Sequence, residues 1–156
     1  MKIYTSYFYQ VRNFKRHMIP LSTAVWDPKW FHQHVMTVYK DKNGVYNGLR
    51  LEEFAPKNHE CHGLDHCTAP IRGDCNFLKS YRQQLDELNF DNIMELFSQI
   101  WKTINEWEHF GEEVEPVIVL LVYESPDNPC SERRIIQEWF KDHGVIVEEF
   151  DPRKEQ

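Results

Sequence analysis

An α/β fold with an open, mostly parallel sheet is the architecture the sequence predicts, on three observations. Residues 117–123, Val-Ile-Val-Leu-Leu-Val-Tyr, are a β-branched and apolar run without alternation, as in a strand covered on both faces. Before it lie two stretches whose apolar residues recur every three or four positions, the helical period. After it come Asn128-Pro129, a helix-start pair, then an amphipathic stretch, Gly144 and a second β-branched run at 145–147. That succession is a strand–helix–strand unit, the connection that joins parallel neighbours.

The elements are read in chain order as follows. Residues 3–8 form a first strand and 18–25 a second, with Pro20 marking an edge or the strand's start, because it has no N–H to give a ladder. The segment Trp26-Asp27-Pro28-Lys29-Trp30-Phe31 breaks the pattern, and Asn43-Gly44 offers a turn for a hairpin between residues 36–39 and 45–51. Residues 56–74 are polar, without helical or strand period, and form a long Cys/His-rich loop inserted in the domain. Asp74 is expected to cap a helix carrying Phe77, Leu78, Tyr81, Leu85 and Leu88, and Asp91 a second whose broad stripe runs from Ile93 to Trp107 and ends near Gly111. The helix from Pro129 presents Ile135, Ile136, Trp139 and Phe140 inward. The sum is one domain over residues 1–156, an open, Rossmann-like sheet with helices on both faces.

Composition bounds the function. A chain of 156 residues can remove roughly two thirds of its unfolded surface from water, so its core needs no disulfides. No run approaches the ~20 apolar residues of a membrane span, and the first residues lack the apolar stretch of a secretory signal, so a cytoplasmic chain without a membrane partner is expected. Residues 1–50 hold eight Lys/Arg against two Asp/Glu, whereas residues 51–156 are net −13. A basic, aromatic first third suits a phosphate-bearing small molecule or a nucleic acid, and equally a solvated basic face balanced by the acidic remainder.

In an open parallel sheet ligands bind beyond the carboxyl ends of the strands, which here means residues 123–133. A helix starting at Pro129 would place Cys130 and Ser131 in its first turn, with N–H groups and a dipole suited to an anion, and Arg133 one turn along as a bidentate donor. Cys130 there is either a favoured thiolate or a small packed residue; no histidine adjoins it to act as base. Glu124 can accept sugar hydroxyls, act as a general base, or pair with Arg133 or Arg134. Thr5, Ser6 and Tyr7 end the neighbouring strand, Tyr123 ends the central one, and Lys29 with Trp30 could close the site.

Residues 3–8, Ile19-Pro20-Leu21-Ser22, Pro28-Lys29-Trp30-Phe31, Leu121-Val122-Tyr123-Glu124 and Cys130-Ser131-Glu132-Arg133-Arg134 with Glu138-Trp139 resemble the domain-of-unknown-function 488 family, whose stand-alone members include bacterial and phage proteins. The family pattern is an apolar strand ending in Cys-Tyr-Glu, a short loop, and Cys-His-Arg opening a helix. Here Val122 replaces the first cysteine, and Ser131-Glu132-Arg133 matches the second motif through its arginine. The resemblance implies the fold, the position of the site, and Glu124 and Arg133 as its residues, but no reaction.

A second constellation is His59, Cys61, His62, His66, Cys67 and Cys75. Cys61, Cys67 and Cys75, with a histidine such as His59 or else Cys130 as fourth ligand, would make a closed structural zinc set clamping the loop; the five- and seven-residue gaps are not those of a standard knuckle, so free thiols are the other reading. Two functions are compatible with these features. One is an enzyme or binder for a nucleotide, nucleic acid or other phosphate-bearing ligand, as a hydrolase or transferase using Glu124 and Arg133. The other is a non-enzymatic interaction module, such as a phage accessory factor, stabilised by zinc and gripping a protein partner through residues 26–34.

Overall fold

The computed structural model describes residues 1–33, 46–58 and 67–154. Among these residues six strands form one sheet: β1 (Lys2–Tyr7), β2 (Met18–Ser22), β3 (Phe31–Gln33), β4 (Tyr46–Arg50), β5 (Val117–Val122) and β6 (Glu148–Glu149), in the order β3-β4-β2-β5-β1-β6. Every adjacent pair is parallel. The α-helices are α1 (Ala69–Arg72), α2 (Asn76–Asp86), α3 (Phe90–Glu108) and α4 (Arg133–Asp142). No helix among the described residues is long and apolar enough to cross a membrane.

The unbroken apolar run becomes β5, flanked by β1 and β2 and buried at every residue. Its alternate side chains serve two cores. Ile118, Leu120 and Val122 pack with Phe97, Ile136, Trp139 and Phe140 of α3 and α4. Val117, Val119 and Leu121 join Tyr4, Phe8, Val11, Ala24 and Phe31 on the other face, where the helix is a short 3-10 one, Phe8–Asn13. Helices thus lie on both faces, with the long ones on one.

Several boundaries differ from expectation for local reasons. Asn89, not Asp91, caps α3: its Oδ1 accepts the Asn92 N–H at 3.0 Å from an extended backbone that Asp91, inside the helix, does not have. Cys75 rather than Asp74 occupies the cap position of α2. The 18–25 strand stops at Ser22, and Pro20 stands in an interior strand, not an edge. It is tolerated because the β4 ladder begins only at Leu21. Beside it a Cβ on Gly48 would lie 2.8 Å from the Pro20 carbonyl oxygen and 2.4 Å from the Phe31 ring, so only glycine allows this approach. The strand expected at 45–51 is β4, parallel to both neighbours; residues 36–45, with the proposed hairpin turn and partner, lie outside the described residues. The returning strand is 148–149 instead of 145–147, since the Val145 N–H still bonds the Phe140 carbonyl as the helix unwinds through Gly144.

The largest shift concerns α4, which starts at Arg133 and not at Pro129. Asn128 turns the chain first: its Oδ1 accepts the Cys130 N–H at 2.9 Å and its carbonyl the Ser131 N–H at 3.2 Å. Cys130 and Ser131 therefore sit in a turn ahead of the helix, and their N–H groups are spent within it.

Candidate functional site

Topology opens a crevice at the carboxyl end of β5. From β1 the chain passes to the 3-10 helix on one face, while from β5 it passes to α4 on the other. Adjacent parallel strands whose connections leave in opposite directions part at their ends, and ligands bind at such points.

Arg133, the first residue of α4, is held in this crevice with 4% of its surface exposed. Its Nε donates to Glu149 Oε1 at 2.9 Å, its Nη2 to the Ser6 carbonyl at 3.5 Å, and its guanidinium lies over the Tyr7 ring at 5.7 Å. Ser131 Oγ accepts the Arg133 backbone N–H at 3.4 Å. Gln137 donates to Thr5 Oγ1 at 2.7 Å, and Thr5 is in turn bonded to Glu149. Burial pushes the Glu149 carboxyl up, against the pull of Arg133 and Thr5. Arg133 is thus an inward residue anchored on β6, not one reaching back along a helical turn. Arg134 is exposed and bonds the Pro70 carbonyl at 3.3 Å.

Glu132 adds a carboxyl that sequence reasoning passed over. It is 5% exposed, and burial, then the nearby Glu124, raises it to about 7, with its own backbone N–H and Arg133 opposing. Tyr81, buried on α2, is pushed up by burial and by Glu132. Glu124 therefore enters the same electrostatic neighbourhood as Glu132 and Arg133, although only the turn joins them. Five buried side-chain polar atoms lack a partner among the described residues; three are Glu124 Oε2, Arg133 Nη1 and Glu149 Oε2. Ser6 Oγ is a fourth, but strand alternation turns it to the face of Tyr4.

The remaining candidates lie apart. Tyr123 and Trp30 each meet the Phe8 ring, at 6.0 and 6.3 Å between centroids, on the side of the 3-10 helix; Lys29 is exposed beside them. Cys130 is half-buried in the turn. Of the supposed zinc set, Cys61 and His59 lie outside the described residues; Cys67 and Cys75 are free thiols. Cys75 is buried and lines a groove of about 410 Å³ between α1, α2 and α4. Among the described residues no group of three or more His, Cys, Asp or Glu is placed to hold an ion.

The fold and crevice define an open, all-parallel α/β domain with a carboxylate–arginine site at the end of its central strand. Comparison with protein-family models, curated proteins and solved structures finds no match.

Proposed function

We propose that the crevice between β1 and β5 binds a nucleotide or related sugar phosphate chiefly through the sugar hydroxyls. The observation that supports this reading is the trio of buried unpaired atoms, Glu124 Oε2, Glu149 Oε2 and Arg133 Nη1. Two need donors and one needs an acceptor, and a buried unpaired group costs about 1–3 kcal/mol until it is met. Hydroxyls of a sugar both donate and accept. A phosphate placed here would meet one arginine already paired with Glu149, and two further carboxyls, so it belongs toward the outer rim. Glu132, held near 7, can take or give a proton at neutral pH, which suits a hydrolase or transferase. The likeness to the 488 family supports the same place, since Glu124 and Arg133 are the positions it carries. The zinc-stabilised interaction module depends on Cys61 and His59 and gains nothing from the crevice.

Thermal-shift measurements with millimolar adenosine 5′-monophosphate and ribose 5-phosphate test the reading. A rise in Tm is expected with both, absent for 2′,3′-dideoxyadenosine 5′-monophosphate and abolished by Glu124→Gln. An equal rise with the dideoxy compound, or none with any of the three, would refute it.

A further inference from the structure

The 3-10 helix that follows β1 has two sides. Phe8 and Val11, three residues apart and so aligned at this pitch, are buried in the core away from the long helices. Tyr9 and Arg12, offset by one position, stand on the other side, where Arg12 is exposed and Tyr9 is 55% exposed. Tyr9 lies nearly parallel to Tyr7 at 6.3 Å between ring centroids, and Tyr7 in turn carries the Arg133 guanidinium over its ring at 5.7 Å. Arg12 closes the series. Its guanidinium carbon is 3.9 Å from the centre of the Tyr9 ring, and its Nε donates to the Tyr9 carbonyl at 2.8 Å. Two tyrosines thus connect the buried guanidinium of the crevice to an exposed one.

The two cations differ in what meets them. Arg133 is paired with Glu149, whereas among the described residues no carboxylate meets Arg12 and nothing accepts from its Nη1 or Nη2. The Nε bond and the ring fix the plane of the Arg12 guanidinium, so its two outer nitrogens are held as a ready fork for two phosphate oxygens. Resting on the crevice reading, we infer that Arg12 is the phosphate-binding residue of that site: the sugar hydroxyls lie at Glu124 and Arg133, and the 5′-phosphate of the nucleotide reaches out over Tyr7 and Tyr9 to Arg12. Inside the crevice Glu124, Glu132 and Glu149 oppose an anion; Arg12 stands beyond them. The contacts that lead from Arg133 to Arg12 are, end to end, comparable in length to a sugar 5-phosphate held by a hydrogen bond at each end.

Isothermal titration with adenosine and adenosine 5′-monophosphate tests the assignment. The monophosphate is expected to bind about tenfold or more tightly than the nucleoside, as for a charged hydrogen bond gained. Arg12→Ala, at an exposed position, should bring the monophosphate to the affinity of adenosine and leave adenosine itself unchanged. Lys79→Ala, an exposed cation on α2 beside the groove between α1, α2 and α4, should keep the full gain. Adenosine binding without a gain from the phosphate, a gain that survives Arg12→Ala, or one lost equally in Lys79→Ala would overturn the role of Arg12 and leave the sugar reading of the crevice in place. Binding of neither compound by the unaltered protein would overturn both.

Discussion

Glu132→Gln is expected to stabilise the protein by about 3 kcal/mol at pH 8 and by less than about 1 kcal/mol at pH 5, as one pKa unit is worth about 1.4 kcal/mol. The carboxyl is ordinary in the unfolded chain, at 4.5, but is raised to about 7 by burial and Glu124 in the folded one. Below 4.5 both states hold the proton and the group has no effect on stability. As pH climbs from 4.5 to 7 the unfolded chain loses the proton first, so stability falls, and the penalty is complete above 7. Glutamine copies the protonated form and escapes the penalty. Thermal unfolding at the two pH values reads this as a Tm gain of roughly 6–12 °C at pH 8, at roughly 2–4 °C per kcal/mol for a chain of this size. An equal change at both pH values would show that Glu132 does not carry a raised pKa.

Replacing the buried arginine has the opposite sign. Arg133→Met should cost about 3 kcal/mol in denaturant unfolding, because breaking a buried pair strands the remaining charge. Here that charge is Glu149, and the lost contacts include the Ser6 carbonyl and the Tyr7 ring. Since burial already raises Glu149 and Arg133 opposes this, removal of the cation raises it further. The deficit should therefore shrink toward acid pH, and adding Glu149→Gln should recover part of it. Arg134→Met, at an exposed position, should stay within about 0.5 kcal/mol. Equal losses at 133 and 134 would mean that the Arg133–Glu149 pair contributes nothing.

What the sequence disclosed follows from the range of the forces involved. The apolar run at 117–122 specifies a two-sided strand by itself, and the stripes of α2 and α3 specify the face they cover, so the parallel α/β sheet was legible. That β5 ends by Tyr123, ahead of a turn and a helix, was legible for the same reason. The start of α4 was not, because Asn128 can cap a helix or close a turn with the same oxygen, and only tertiary packing selects the turn. Glu149 was invisible as a partner of Arg133: the two are sixteen residues apart and meet only because β6 lies beside β1. Glu132 looked like any solvent-facing acid near a helix start. Its 5% exposure is set by tertiary packing, which no periodicity announces. A charged residue close to the strand that follows an amphipathic helix was the available signal for Glu149; for Glu132 there was none.

The crevice assignment is tested most directly by a crystal structure with bound adenosine 5′-monophosphate. It should show ribose oxygens within hydrogen-bond distance of Glu124 Oε2 and Arg133 Nη1, with the Arg133–Glu149 pair intact. A nucleotide seated instead in the groove between α1, α2 and α4, with Arg133 Nη1 still without a partner, would contradict it.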